Sequence, residues 1–131
     1  VDIVATFASP GVVLLHDQRD PSHPDFAVSG ELRSILKGET DARGEALSVV
    51  DLPAPARLRD DDGFVDYSYV NHVLVNDGVL ACSFDDDNDA DAVAILRDAY
   101  PGREVVTVDA RPLFARGGGI HCITQQQPAV P

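Results

Sequence analysis

Hydrophobic and polar positions fall into blocks along this chain, and one order of blocks occurs twice. Val1, Ile3, Ala5 and Phe7 recur at every second position, which predicts a strand over Val1–Phe7 with those residues on one face. Ser9-Pro10-Gly11 then reads as a turn and Val12–His16 as a second short strand. An acidic loop follows, and the spacing predicts a helix over Phe26–Lys37 with Phe26, Leu32, Ile35 and Leu36 inward. A further strand is expected over Leu47–Leu52.

The second copy opens with a strand-like run, Tyr67–Val75. Asn76-Asp77-Gly78 is a hairpin signal, because its central residues tolerate positive φ, and Val79–Phe84 reads as the returning strand. Asp85-Asp86-Asp87-Asn88-Asp89 places negative charge and an N-cap ahead of a helix over Ala90–Tyr100. Ala92, Val93, Ile95, Leu96 and Ala99 form its apolar stripe, Pro101-Gly102 stops it, and Glu104–Val108 reads as the closing strand. Gly11 aligns with Gly78, and Ala27-Val28 with Ala92-Val93, in registers only two residues apart. The unit is therefore strand–strand–helix–strand, used over residues 1–52 and again over 67–131. Residues 53–66, which include the proline- and aspartate-rich Pro53–Gly63, form the linker. Two such units are expected to pack side by side, since one alone leaves a sheet face uncovered.

Composition narrows the function. At 131 residues the chain is the size of one α/β domain, with apolar and charged fractions of 44% and 24%. A formal charge of −12 repels phosphate backbones and argues against a nucleic-acid partner, while leaving cationic ligands compatible. No apolar run reaches the roughly 20 residues of a membrane-spanning helix. Two cysteines without a secreted-scaffold pattern favour free thiols and a cytoplasmic location. The chain has no methionine and opens on Val1-Asp2-Ile3-Val4, inside the expected strand, so a partial chain is expected.

Few residue patterns carry chemistry. Asp85, Asp87 and Asp89 fit the first three positions of a calcium loop, but Ala90 stands where the turn needs glycine and Leu96 where a bidentate glutamate belongs. Helix capping is the plainer reading of that run. Cys82, Cys122, His16, His23, His72 and His121 lack metal-ligand spacing, so no metal is expected. Gly117-Gly118-Gly119 is not a nucleotide loop, because Cys122 stands where the third glycine would and no Walker lysine follows. The glycines do permit close backbone approach beside Cys122, which keeps a nucleophile and an inert thiol both open. His121 is expected on the opposite face from Cys122 if both lie on a strand. Cys82 reads as a small apolar strand residue without a role.

Three strings extend this reading: "SYVNHVLVNDGVL", "DDDNDADAVAILRDAYPGREVVTVDAR" and "GGGIHCITQQQP". In order and spacing they resemble the agmatine deiminase family, also called the bacterial-type peptidylarginine deiminase family. The resemblance spans essentially the whole chain. It implies the pentein fold, an α/β propeller of five strand–strand–helix–strand modules, of which these residues resemble the last two. It also implies a cysteine nucleophile, a histidine acid/base and carboxylates that clamp a guanidinium. The nucleophile maps onto Cys122. Asp2 matches the guanidinium-binding aspartate of a Gly-His-x-Asp motif, whose histidine would lie immediately before residue 1. Gly118 and Gly119 fall in the substrate-binding glycine string. The sequence departs from the family pattern at Gly119, usually asparagine, and at Arg116, usually glycine.

The activity implied is hydrolytic removal of ammonia from agmatine, giving N-carbamoylputrescine, through an amidino-cysteine intermediate and without a cofactor; this belongs to polyamine biosynthesis. Free arginine or peptidylarginine is the close alternative substrate. An alternative of another class is a non-catalytic truncated module that associates through open sheet edges. A homodimer is carried only as an implication of the resemblance.

Overall fold

The computed structural model describes residues 2–128. The first sheet contains β1 (Ala5–Ser9), β2 (Val12–Asp17) and β3 (Ser48–Pro53), in that order. β1 and β2 are antiparallel, whereas β2 and β3 are parallel and joined through α1 (Asp25–Gly38). After the short hairpin β4 (Arg59–Asp60) and β5 (Gly63–Phe64), the pattern returns. β6 (Val73–Val75) runs antiparallel to β7 (Gly78–Ser83), which runs parallel to β8 (Glu104–Asp109) with α2 (Asp89–Ala99) as the crossover. The expected repeat is thus present twice. The β2–β3 ladder of Val12–Asp17 on Ser48–Pro53 has its counterpart in Gly78–Ser83 on Glu104–Asp109.

Hydrophobic burial is concentrated in the second unit. Val79, Phe84, Ala92 and Leu96 are fully buried, and Leu14 and Leu52 of the first sheet join the same cluster. Phe84 stacks on Tyr67 at 4.5 Å and meets Tyr69 and Phe114 edge-on. Aromatic pairs in such arrangements add to the burial of their area. The stripe expected on α2 is observed: Ala92 and Leu96 face the core, with Val93, Ile95 and Ala99 packed against it.

Several expected elements differ. β1 starts at Ala5, because residues 2–4 form a turn; Val1 lies outside the described residues, and Phe7 is exposed. Only Val73–Val75 of the Tyr67–Val75 run is strand. Residues 67–72 form an irregular segment with every side chain buried, polar Ser68, Asn71 and His72 included, so the run marks enclosure rather than pairing. Side chains hold that segment: the Ser68 hydroxyl donates to Ile3 O at 2.7 Å, and His72 Nδ1 donates to Tyr69 O at 2.9 Å. The hairpin at Asn76-Asp77 forms without positive φ at either residue. It is instead tied from outside, with the Arg103 guanidinium donating to Val75 O and Asn76 O and the Glu104 backbone N–H to Asp77 O.

α1 also turns differently from its expected orientation. Phe26 and Ile35 are exposed at 43% and 48%, while Ser29 is buried and Leu32 and Leu36 are half-buried. Polar contacts set this rotation. Ser29 Oγ accepts from Gln18 N at 3.2 Å, and Arg33 donates to Asp51 Oδ1 at 2.9 Å and to Asp17. Residues 53–66 are more ordered than a linker suggests, since Arg59 lies 3.5 Å above the Phe64 ring within the β4–β5 hairpin. The acidic run does frame the N-terminus of α2, but without a side-chain bond from its capping residue Asn88. Among the described residues no cluster suited to a metal ion occurs, and no helix is long and apolar enough to cross a membrane.

Candidate active site

Cys122 lies in a single 3-10 turn, His121–Ile123, not on a strand. The glycine string before it explains the local path. Gly117 has φ +97, a region that side chains disfavour, and reverses the chain after α3 (Arg111–Phe114). A Cβ on Gly118 would come within 2.9 Å of Cys122 Sγ. One on Gly119 would overlap Asn71 Oδ1 and approach Phe114 Cε2 to 2.6 Å. The backbone therefore passes so close that a side chain at 118 would displace the Cys122 thiol, and one at 119 would press on buried Asn71 and Phe114.

The 3-10 turn overturns the expectation that His121 and Cys122 face apart. Both converge on one carboxylate, that of Asp2: Cys122 Sγ lies 3.0 Å from Asp2 Oδ2, and His121 Nδ1 lies 3.3 Å from the same oxygen. Asp2 and Cys122 are separated by 120 positions in sequence. The structure thus brings together the two residues singled out as nucleophile and guanidinium ligand. The Cys122 thiol is exposed, as a nucleophile must be. The thiol hydrogen bond is the largest influence holding the Asp2 carboxyl below its ordinary pKa; partial burial opposes it, and His121 assists. Asp2 is consequently an anion at neutral pH, the form that binds a cation.

Asn71 is the site residue that composition and spacing missed. It is fully buried, and its carboxamide touches all three groups. Oδ1 accepts from His121 N–H at 2.8 Å. Nδ2 lies 3.2 Å from Cys122 Sγ, 3.2 Å from Asp2 Oδ2 and 3.1 Å from Asp2 O. Because a backbone N–H can only donate, the His121 contact fixes which end of the amide is oxygen. The available signal was a lone amide within the strand-like run Tyr67–Val75, since buried polar side chains are placed where they have partners. Cys82 also has a structural part: its buried Sγ donates to Asn71 O at 2.9 Å, and burial pushes its pKa up to about 11, keeping it a thiol.

A recess of about 750 Å³ lined by Phe7, Gly11 and Arg43 holds none of these residues. The site itself is an open surface where an exposed thiol and a carboxylate meet over a buried amide. Such an arrangement can hold a planar cation against sulfur, since a carboxylate binds a guanidinium by charge-assisted hydrogen bonds.

Comparison with known proteins places the chain in a family. The chain is 57% identical over 129 residues to a Streptomyces coelicolor protein named "Putative agmatine deiminase", and 39% identical over 147 residues to the agmatine deiminase of Pseudomonas fluorescens. In each match 98% of this chain is covered, but only 38% and 40% of the respective relative. The chain thus spans well under half the length of these relatives. The solved structure of Enterococcus faecalis agmatine deiminase superimposes on 97% of this chain and 40% of its own, with a TM-score of 0.89 at 29% identity. The two strand–strand–helix–strand units are therefore of the pentein α/β type. With its match extending over residues 1–128, the chain belongs to the Porphyromonas-type peptidyl-arginine deiminase family.

Proposed function

We propose that Cys122 and Asp2 are the nucleophile and guanidinium ligand of a deiminase that converts agmatine to N-carbamoylputrescine and ammonia. The single observation carrying this reading is the 3.0 Å approach of the exposed Cys122 thiol to the Asp2 carboxylate. The names of the relatives support agmatine as the substrate.

A guanidinium carbon is a poor electrophile because resonance spreads the cation over three nitrogens. Pinning the group on Asp2 places its carbon within reach of sulfur and turns a bimolecular attack into a positioned one. The Cys122 thiolate then forms a C–S bond, and a terminal C–N bond breaks as its nitrogen is protonated and leaves as ammonia. Water adds to the amidino-cysteine, the C–S bond breaks, and the ureido product leaves with the thiolate restored. The resemblance assigns the proton transfers to a histidine; among the described residues the imidazole at the site is His121, 3.3 Å from Asp2 Oδ2. The resemblance also assigns Gly118 and Gly119 to substrate binding; the Cβ directions of the two glycines face Cys122, Asn71 and Phe114, so their part in that role is to let the backbone lie close against the thiol.

Ammonia release from agmatine tests the reading. The chain is grafted into Pseudomonas fluorescens agmatine deiminase in place of the matching residues, with and without Cys122→Ala. Activity that disappears in the variant is expected; equal activity in both removes the mechanism. Comparing kcat/KM for agmatine, arginine and a peptidylarginine decides the substrate, because discrimination is a ratio of those constants.

A further inference from the structure

We infer that Asn71 is the positioning residue of this site, an amide clasp that allows the Cys122 thiolate and the Asp2 carboxylate to stand side by side before substrate arrives. The inference takes its catalytic meaning from the deiminase reading, but its geometry stands apart from it. In the thiol form, Cys122 donates to Asp2 Oδ2. Once that proton is gone, two anions face each other at the same short separation and repel. A donor shared between them offsets the repulsion, and Asn71 Nδ2 lies 3.2 Å from both.

The amide is held so that it cannot turn away. Its two N–H bonds serve three acceptors, Cys122 Sγ, Asp2 Oδ2 and Asp2 O. Oδ1 is occupied by the His121 N–H, and Gly119 backs the carboxamide so closely that no Cβ fits between them. Asn71 N donates to Ser68 O at 3.3 Å, and Asn71 O accepts the Cys82 thiol. A fully buried amide with both ends engaged is a rigid support for two surface groups. An arriving guanidinium neutralises the same pair of anions, so clasp and substrate act on them in succession.

Alkylation of Cys122 by iodoacetamide, followed by peptide mass spectrometry on the 131-residue chain, reads this directly and needs no turnover. Asn71→Asp keeps the shape and the oxygen facing His121 N–H but replaces the shared donor with a third acceptor. Asn71→Ala removes the donor without adding charge. Hydrogen bonds to a charged group are worth enough for alkylation at pH 7 to slow about tenfold in Asn71→Ala and further in Asn71→Asp. The deficit should close as the pH is raised, which a purely structural role would not produce. In the grafted enzyme, Asn71→Ala should lower kcat while leaving KM within about threefold, because binding through Asp2 persists. Alkylation within about twofold of the parent chain in a folded variant, or a deficit unchanged by pH, overturns the inference. Should Asn71→Asp fail to fold, Asn71→Ala and Asn71→Ser carry the same readout; loss of folding in all three shows a structural residue and also overturns it. If agmatine is not turned over while alkylation behaves as expected, the deiminase reading fails and the clasp stands.

Discussion

The Tyr69 hydroxyl donates to Asp89 Oδ1 at 2.7 Å, so the segment that carries Asn71 is bonded to the first turn of α2. Asp89 also accepts from Phe84 N at 3.0 Å and Asp86 N at 3.2 Å. A residue in the acidic run thus joins the end of β7, the helix and the buried segment. Burial and the Asp89 carboxylate together push the Tyr69 phenol well above its usual range, so it remains a donor at every working pH.

Asp89→Ala should therefore destabilise the fold by about 1–3 kcal/mol, the penalty of leaving the buried Tyr69 hydroxyl and the Phe84 and Asp86 N–H groups without their acceptor. Urea unfolding measures it. Millimolar calcium should leave the melting temperature of the parent chain unchanged; a calcium-dependent rise would restore the metal-loop reading of Asp85–Asp91.

Gly118→Ala tests how closely the backbone approaches the nucleophile. Its Cβ would meet Cys122 Sγ at 2.9 Å and Cys122 Cβ at 3.0 Å, so the thiol must rotate away from Asp2 and the exposed 3-10 turn must shift by a few tenths of an ångström. The expected outcome is a loss of at least about tenfold in kcat in the grafted enzyme with little change in melting temperature, because misplacement at the reacting atom costs rate more than stability. A fully active Gly118→Ala enzyme would show that the thiol position is not tightly set.

Gly119→Ala should behave in the opposite way. Its Cβ would press on buried Asn71 and Phe114, neither of which has free space to enter. Overpacking of this kind costs about 1–3 kcal/mol, which thermal unfolding would register as a drop of several degrees.

His16 and His72 should make the protein acid-sensitive. Burial lowers the pKa of both imidazoles below the ordinary 6.5. The unfolded chain therefore binds more protons than the folded one between the lowered values and about 6.5, so stability falls as the pH drops through that window and recovers above it. His16 is the more sensitive of the two, because its Nδ1 is buried without a hydrogen-bond partner among the described residues, whereas both nitrogens of His72 are engaged, by Tyr69 O and the Tyr100 hydroxyl. Urea midpoints measured at about pH 7.5, 6.5 and 5.5 should decline in that order, and His16→Phe should flatten the decline. The opposite trend would place the histidines outside the core.

How much of this was legible in the sequence depends on how local each signal is. α2 could be read because Ala92 and Leu96 repeat on one face and the facing surface is apolar. α1 could be located but not oriented, since its inward face is set by Ser29 and Arg33, whose partners Gln18, Asp17 and Asp51 lie on other elements. The run Tyr67–His72 looks like a strand because its aromatic and β-branched residues favour extended, buried backbone and say nothing of pairing. A single 3-10 turn has too few residues to show a period, so the convergence of His121 and Cys122 on Asp2 could not be read from spacing. The resemblance supplied Cys122 and Asp2 as a pair. Asn71 could not be read from the sequence, because its role consists of contacts with positions far away along the chain.

The pairing of Asp2 with Cys122 spans 120 positions. During translation the carboxylate leaves the ribosome well before the sulfur, by several seconds or more at about 5–20 residues per second. Loop closure over such a distance costs little more than over half of it, about 0.6 kcal/mol per doubling. What delays the encounter is therefore the order of synthesis and the docking of both units, and reactivity at the sulfur becomes a late marker of maturation.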